Sequence, residues 1–355
     1  MGKLRVGVVG CGEITSKATA PAFEEAKNVE IGMVMDVVEW AARDLGEKYN
    51  VPYTTSLDEL LSNREIDFVY IATPHYLHAP IAIKAAKAGK HVLVEKPIAV
   101  DLKQADEMIS ECRKNGVKLS VCFPLRYKPQ IQKAKELVDK GFLGDIIGVR
   151  IVNLMVKPAS YWMGGYTGRI KSDWRTSKEK SGGGVLIMNS IHDIDYIRYI
   201  TGLEAERVYS EYDTFLTPVE VEDFINVLIR YENGAIGLIE ASSCIDKGPG
   251  PWEIYGDSIY GSKAQLVIPN PYGEPFLWIF TRNPTEYGEA GKWHKIPLEN
   301  KYNALTRFVE EFAEAVLAGK EPPVTGEDGR RALEIVVAAY ESGLKKAPVD
   351  LSNYR

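Results

Sequence analysis

Leu4-Arg5-Val6-Gly7-Val8-Val9 is an apolar, strand-like run that leads directly into the glycine-rich turn Gly10-Cys11-Gly12-Glu13-Ile14-Thr15. Gly10 and Gly12 permit a tight turn and let the backbone approach a pyrophosphate. The N-terminus of the helix that follows also attracts the pyrophosphate. Thr15 stands where a third glycine or an alanine is common, and predicts looser packing of the helix on the strand. Strand, turn and helix in this order predict a dinucleotide site, with an ordinary turn at a helix start as the other interpretation. The residues assigned to the cofactor here are Gly10, Cys11, Gly12, Glu13 and Ile14.

Residues 1–122 alternate strand-like and helix-like segments, which predicts a doubly wound parallel sheet of the Rossmann type with helices on both faces. The predicted strands are Arg5–Val9, Glu30–Met35, Phe68–Ala72, His91–Val94 and Lys118–Cys122. The amphipathic segments between them are Ala41–Tyr49, His78–Ala88 and Leu102–Asn115.

Residues 123–355 have a different character, with longer alternating runs separated by turn signals. Glu232-Asn233-Gly234 predicts a hairpin turn. The region therefore predicts a second, α+β domain with a mostly antiparallel sheet. Its strands are predicted at Ile146–Val156, Glu206–Asp213, Phe224–Tyr231, Ala235–Ser243, Gln265–Pro269 and Phe276–Thr281. Its helices are predicted at Gln130–Lys140, Val185–Tyr199, Tyr302–Ala318 and Gly326–Lys345.

Composition narrows the function classes. The 355 residues suit two domains, and 45% apolar residues suffice for packed cores. A formal net charge of −6 argues against a nucleic-acid partner. No apolar run approaches the ~20 residues of a membrane helix, and the N-terminus lacks the features of a signal peptide. The four cysteines are scattered without metal-binding spacing, so the sequence predicts no metal site, reduced thiols and a cytoplasmic protein.

Asp36 ends the second apolar run, 24 positions after Gly12. A carboxylate there accepts hydrogen bonds from the adenosine ribose hydroxyls and repels a 2′-phosphate. The next residues, Val37-Val38-Glu39-Trp40, offer no Arg or Lys to bind such a phosphate. The sequence therefore predicts NAD rather than NADP, with a simple turn cap as the other role for Asp36.

Two loops follow predicted strands and should open onto the ligand crevice of a doubly wound sheet. Thr73-Pro74-His75, with His78 close behind, is expected to contact cofactor or substrate, although His78 could simply begin a helix. Glu95-Lys96-Pro97 follows the strand at His91–Val94. A lysine partly desolvated beside a nicotinamide has a lowered pKa and can remove a hydroxyl proton, with Glu95 orienting its neighbours. The alternative is a surface lysine in a turn.

A third constellation follows Gly182-Gly183-Gly184, which permits close packing before a helix. Asn189, His192 and Asp195 are spaced by three and should share one helix face, which makes Asn189 and His192 candidate substrate contacts. Three residues outside this helix are further binding candidates. An arginine can bind a carboxylate, a phosphate or an amide oxygen, and a tryptophan can stack on a ring. An interdomain salt bridge is the alternative for the arginines. These residues are Arg126, Trp174 and Arg175, which, together with Glu95 and Lys96, are also assigned to the cofactor site.

In this order the motifs resemble the glucose-fructose oxidoreductase / inositol dehydrogenase / MocA family over almost the whole chain. They are Gly10-Cys11-Gly12, Ala72-Thr73-Pro74 with His78, Glu95-Lys96-Pro97, Arg126-Tyr127, Trp174-Arg175, Gly182-Gly183-Gly184 with His192 and Asp195, and the segment from Gly326 to Leu333.

The resemblance implies a Rossmann domain, a C-terminal domain with an open-faced sheet, and NAD(P)-dependent chemistry on sugars, inositols or related polyols. It further implies Lys96 as acid/base, His192 as the active-site histidine, and a homodimer or homotetramer formed through the open sheet. Many family members carry Asp where this chain has Met188, which moves the proton-transfer role towards Lys96.

The leading hypothesis is a dehydrogenase that transfers a hydride between a sugar or polyol hydroxyl and NAD. Lys96 and His192 are its catalytic candidates, and Lys96, Arg126, Asn189 and His192 its substrate contacts. One alternative is a glycosidase of the same family that retains NAD. The other is a non-catalytic nucleotide-binding regulator, against which the presence of Lys96 and His192 argues.

Overall fold

The computed structural model describes residues 2–245 and 256–354. Their contacts divide them into two compact units. The sequence predicts one boundary, between residues 122 and 123, whereas two later stretches of the chain join the first unit. The first unit draws on Met1–Phe123, Pro158–Gly183 and Tyr302–Leu333. The second draws on Pro124–Lys157, Gly184–Lys301 and Glu334–Arg355.

The first unit is built on six strands: β1 (Leu4–Val9), β2 (Val29–Met35), β3 (Tyr53–Thr54), β4 (Phe68–Ile71), β5 (His91–Val94) and β6 (Leu119–Val121). They lie in the order β3-β2-β1-β4-β5-β6, and every neighbouring pair is parallel. This order winds outward from β1 in both directions, so the predicted Rossmann arrangement is confirmed. Val6, Val69 and Leu93 are fully buried, as expected for strands covered on both faces.

The helices agree with the predicted segments to within a few residues where a prediction was made. In chain order they are α1 (Ala20–Glu25), α2 (Glu39–Tyr49), α3 (Leu57–Ser62), α4 (His78–Lys87), α5 (Leu102–Lys114), α6 (Pro129–Asp139), α7 (Ala159–Gly164), α8 (Lys178–Ser181), α9 (Ile191–Thr201), α10 (Ala304–Leu317) and α11 (Gly326–Lys345).

Helix α10 explains why residues 302–333 join the first unit. Its Phe312 packs edge-on against Phe68 of β4, with ring centroids 5.2 Å apart. The side chain of Asn28 also donates a 2.8 Å hydrogen bond to the backbone carbonyl of Glu310. Amphipathic periodicity identifies such a helix but does not specify which sheet its apolar face covers.

The second unit contains a nine-stranded sheet in the order β14-β13-β12-β11-β7-β10-β9-β8-β15. Among its ladders only β7 and β10 pair in parallel, so the predicted, mostly antiparallel sheet is confirmed. The turn Glu232-Asn233-Gly234 joins β9 to β10 as predicted. The strands are β7 (Ile146–Leu154), β8 (Ala205–Asp213), β9 (Phe224–Tyr231), β10 (Ile236–Ser242), β11 (Asp257–Gly261), β12 (Ala264–Ile268), β13 (Phe276–Thr281), β14 (Trp293–Pro297) and β15 (Val349–Asp350).

One face of this sheet is open. Leu228 of β9 and Ile236 of β10 are 52% and 53% exposed. The residues on either side of Leu228 in β9, Val227 and Ile229, are buried. Successive residues of a strand face opposite sides, so the exposed apolar side chains share one face. The predicted open-faced sheet is therefore present.

Several elements differ from the sequence prediction. Strands β3, β11, β14 and β15 carry short or polar patterns and were not expected. The single helix predicted over Val185–Tyr199 is a π-helical turn at Leu186–Ser190 followed by α9. In the part of the chain that is described, no helix combines the length and apolar character needed to cross a bilayer.

Candidate functional site

The glycine turn after β1 leaves open space beside its backbone. Gly10 has φ 102°, and a Cβ there would lie 2.6 Å from the carbonyl oxygen of Ala72, so only glycine fits. A Cβ on Gly12 would meet nothing within 4 Å. Gly10 is thus demanded by the packing of the sheet, while Gly12 keeps a space free, as a pyrophosphate-binding turn requires.

Thr15 fills the third position of the fingerprint without disturbing the turn. Its side chain is fully buried, and its Oγ1 donates a 2.7 Å hydrogen bond to the carbonyl oxygen of Gly10. The π-helical turn Thr15–Thr19 begins here and continues into α1. This hydrogen bond connects the start of the helix to the glycine turn. It offsets the looser packing that a threonine at this position predicts.

Asp36 lies at the carboxyl end of β2 with its carboxylate against the glycine turn. Oδ2 accepts a 2.7 Å hydrogen bond from the backbone N–H of Cys11, and Oδ1 accepts one of 2.9 Å from Val38. The side chain is largely buried. A carboxylate fixed beside this turn is the arrangement that binds the ribose hydroxyls of a dinucleotide.

The loop after β4 carries Thr73, Pro74 and His75. Oγ1 of Thr73 is buried and has no hydrogen-bond partner among the described residues. Nδ1 of His75 lies 2.7 Å from the carbonyl oxygen of Ser181, and its ring is 4.4 Å from that of Trp174. Burial lowers the pKa of His75 well below its usual value, so the ring is neutral at pH 7. A neutral ring with Nδ1 protonated leaves Nε2 as an acceptor.

His78 lies buried between the loops that follow β4 and β5. Its side chain is fully buried, Nδ1 lies 2.8 Å from the carbonyl oxygen of Pro97, and Nε2 lies 3.0 Å from that of Thr73. Burial lowers the pKa of His78 to about 4. A neutral ring has one N–H, so His78 donates to one of these two carbonyls and packs against the other, between the loops after β4 and β5. Its contact with the cofactor stays a prediction.

Lys96 follows β5, and the Lys96-Pro97 peptide bond is cis. Its side chain is half-buried, and its charge acts on His75, His78 and Glu95, which shows how close these groups lie. Glu95 is buried and accepts a 2.8 Å hydrogen bond from the hydroxyl of Tyr70. Burial raises the pKa of Glu95, while the charge of Lys96 opposes that rise.

Residues 158–183 bring Trp174 and Arg175 to this part of the first unit. The Arg175 guanidinium lies 4.4 Å from the centre of the Trp174 ring and 5.0 Å from that of Tyr161. Trp174 in turn packs on His75. The first unit thus gathers the glycine turn, Asp36, the two loops after β4 and β5, Trp174 and Arg175.

The remaining candidates belong to the second unit. The Arg126 guanidinium forms two hydrogen bonds to the Asp195 carboxylate, at 2.8 and 2.6 Å, and both side chains are buried. Asp195 is therefore held by Arg126 rather than open to a ligand, although His192 and Asp195 keep their three-residue spacing within α9. Asn189 lies in the π-helical turn before α9. Arg126 anchors α9, and its contact with a cofactor or substrate stays a prediction.

The helix that carries Asn189 and His192 starts against Glu222, which the sequence did not single out. The Glu222 carboxylate accepts hydrogen bonds from Gly184 N–H (2.6 Å), Leu186 N–H (3.0 Å) and the Tyr340 hydroxyl (2.8 Å). Burial raises the pKa of Glu222 to about 7. A Cβ on Gly184 would lie 1.9 Å from the Glu222 carbonyl oxygen, so the last glycine is needed for this contact.

Asn189 and His192 are both half-buried, and Met188 beside them is buried. Oδ1 of Asn189 is buried without a hydrogen-bond partner in residues 2–245 and 256–354. An unsatisfied buried acceptor is costly, and a ligand hydroxyl would satisfy it. Within the same described ranges, no group of three or more His, Cys, Asp or Glu side chains is arranged to hold a metal ion.

Two family models match consecutive parts of the chain. Residues 4–123 match the oxidoreductase family described as having an NAD-binding Rossmann fold, and residues 131–260 match the GFO/IDH/MocA C-terminal domain. Both matches fall on the regions that carry the motifs described above.

Curated relatives and solved structures extend over the full chain. Myo-inositol 2-dehydrogenase of Thermotoga maritima is 28% identical and covers 98% of each chain. The NAD(+)-dependent scyllo-inositol 2-dehydrogenase of Bacillus subtilis is 29% identical, over 98% of this chain and 96% of its own. The structure of aldose-aldose oxidoreductase from Caulobacter crescentus, complexed with glycerol, has a TM-score of 0.85 and 25% identity, over 98% of this chain and 99% of its own. With both domains matched in order, the chain belongs to the GFO/IDH/MocA family of oxidoreductases.

Proposed function

We propose that the protein is an NAD-dependent dehydrogenase that transfers a hydride between the nicotinamide and a hydroxyl-bearing carbon of a sugar, an inositol or a related polyol. The proposal rests chiefly on one edge of the first unit. There the open turn at Gly12 follows β1, and Lys96 follows β5. The carboxyl ends of parallel strands meet at one edge of a sheet, so a cofactor site and a proton-transfer group share that edge.

NAD fits this edge on three features of the chain. Gly12 leaves space beside the backbone, Asp36 presents a carboxylate at the end of β2, and Thr73 has an unsatisfied buried hydroxyl. When bound, NAD supplies the hydride acceptor and NADH the hydride donor. Asp36 makes the affinity for NAD about tenfold or more higher than that for NADP. Its carboxylate accepts hydrogen bonds from the ribose hydroxyls and repels a 2′-phosphate.

Lys96 is the proposed acid/base. Its neighbours His75 and His78 are kept neutral by burial, so they add no positive charge beside it. Glu95 is held by Tyr70 and is not itself open to substrate. Lys96 therefore removes the hydroxyl proton during oxidation and returns it during reduction.

On chemical grounds we extend the proposal to Asn189 and His192 of the second unit. The unsatisfied Oδ1 of Asn189 suits a donor such as a sugar hydroxyl. Histidine is the residue type suited to exchange a proton near neutral pH, and we assign His192 the role of hydrogen-bonding the substrate hydroxyl. Met188 cannot ionise, so in this chain no carboxylate at that position takes part in the proton transfer, and Lys96 carries that role.

The substrate class is tested by offering the purified protein and NAD a panel of inositols, free sugars, anhydrosugars and sugar nucleotides. NADH formation, followed by absorbance, identifies the substrate and supports the dehydrogenase. Release of aglycone from a glycoside without net NADH would instead favour a glycosidase that retains NAD. Binding of NAD with no turnover on any member of the panel would favour a regulator.

The open face of the nine-stranded sheet is the proposed site of self-association. Leu228 and Ile236 expose apolar surface there, next to the Arg150–Glu240 ion pair. A homodimer or homotetramer would bury this surface. Sedimentation analysis of the wild type and Leu228→Glu tests it, since the variant should shift towards monomer while it retains NAD binding.

A further inference from the structure

Residues 158–183 touch the glycine turn through contacts that no motif in the sequence predicts. The backbone N–H of Thr167 donates to Oε2 of Glu13 at 3.2 Å. Nε of Arg169 donates to the carbonyl oxygen of Cys11 at 3.1 Å. The other end of the Arg169 guanidinium forms an ion pair with Asp44 on α2. All of these residues belong to the first unit.

Arg169 and Asp36 bind the two sides of the same residue. Asp36 accepts from the N–H of Cys11, and Arg169 donates to its carbonyl. The guanidinium also lies 5.2 Å from the centre of the Trp40 ring, in the segment directly after β2. A cation therefore reaches the ribose-binding end of the turn, although residues 37–40 supply none.

Asp44 decides what this cation can bind. A guanidinium is the side chain best suited to a phosphate, because it donates paired hydrogen bonds to two oxygens. Paired with Asp44, the Arg169 guanidinium already has its carboxylate partner, and the pair carries no net charge. The Asp44 side chain is 58% exposed, so its replacement leaves the core unchanged.

We propose that the Arg169–Asp44 pair is a second determinant of cofactor specificity, which rests on the proposed binding of NAD at this turn. With Asp44 present, Arg169 is neutralised and the site prefers the unphosphorylated ribose that Asp36 binds. Without Asp44, the Arg169 guanidinium attracts the 2′-phosphate of NADP. This attraction offsets the repulsion between that phosphate and the Asp36 carboxylate.

The test is a set of titrations of NAD and NADP, by calorimetry, on wild type, Asp44→Asn, Arg169→Met and the double variant. Asp44→Asn should raise the affinity for NADP relative to NAD about tenfold, the usual scale of a charge-assisted contact. The double variant should lose this gain, because the gain depends on Arg169. Glu47→Gln removes the same charge from an exposed position of α2 and should leave the ratio unchanged.

Three results would overturn the inference, and the first two are an unchanged ratio in Asp44→Asn and a gain that persists when Arg169 is also replaced. Glu47→Gln matching the effect of Asp44→Asn would do the same, since it would reduce the effect to net charge. Failure of the wild type to bind either dinucleotide would defeat the proposed function itself. If NAD binds but the ratio of NADP to NAD affinity does not change in the variants, only the role of the Arg169–Asp44 pair is defeated.

Discussion

Two glycine-rich turns precede helices in this chain, and they use their glycines in opposite ways. At Gly10-Cys11-Gly12 the second glycine faces space in which a Cβ would meet nothing within 4 Å. At Gly182-Gly183-Gly184 the last glycine faces the backbone of Glu222, 1.9 Å from the position of a Cβ. The first turn keeps room for a ligand, whereas the second is filled by the protein itself.

The difference shows that a glycine cluster before a helix does not identify a ligand site by itself. Both turns predict close approach of a backbone, but sequence cannot say whether the approaching group is a phosphate or another strand. The structure distinguishes them by what lies beside the missing side chain. Variants of the two turns and of their neighbours should therefore fail in different ways.

The largest effect is expected beside the open turn. Lys96→Ala should lower kcat by about 10²- to 10⁴-fold, the range for loss of a general acid/base, because no neutral neighbour replaces its proton transfer. NAD affinity and Tm should stay near wild type, as measured by calorimetry and thermal unfolding. The exposed Lys87→Ala is the matched control. Unchanged turnover of Lys96→Ala would remove Lys96 from the chemistry.

The filled turn should respond through stability. Gly184→Ala forces a Cβ into the carbonyl of Glu222 and displaces the helix start, at a cost of about 3 kcal/mol or more in the free energy of unfolding. Urea unfolding measures this loss. A variant as stable as the wild type would show that the chain can relax here, and that the two turns are alike.

Glu222, which meets Gly184, should make stability depend on pH. Its pKa is raised from 4.5 to about 7 in the folded protein, so the folded state binds the proton more tightly than the unfolded state. This contribution is fully present below pH 4.5 and is lost as the pH rises through about 7. It amounts to about 3 kcal/mol for a shift of this size.

Glu222→Gln should remove that part of the pH dependence and keep one of the two acceptor oxygens. Urea unfolding at pH 5 and pH 8 should show a smaller difference for the variant than for the wild type. Glu206→Gln, an exposed position on β8, is the control and should behave as wild type. Equal pH dependence in all three proteins would count against a buried, proton-binding Glu222.

Much of the fold follows from the sequence because its signals are local. The strands Phe224–Tyr231 and His91–Val94 have the bounds expected from their apolar patterns, and Asn233-Gly234 forms the expected turn. The positions of the candidate residues within the first unit were also predictable. A glycine turn, an acidic residue and loops after strands have fixed places in a doubly wound sheet.

The parts that sequence missed depend on contacts between distant residues. Arg169 reaches Cys11 across 158 positions, and Glu222 reaches Gly184 across 38. Neither residue stands in a motif, and no periodicity connects it to its partner. The partner of Asp195 was missed for the same reason, because the buried Arg126 that binds its carboxylate lies 69 positions earlier in the chain.

The smallest effect, and the sharpest test of the comparison, is expected for Gly12→Ala. The added methyl group meets no protein atom within 4 Å, so the free energy of unfolding should change by no more than about 0.5 kcal/mol. The same methyl group occupies the space in which the backbone approaches a pyrophosphate, and the Kd for NAD should rise about tenfold. Gly184→Ala is its reciprocal control, since it should lower stability through a contact that involves no ligand. If Gly12→Ala instead lost stability and bound NAD normally, the open space would belong to folding, and the contrast between the two turns would fail.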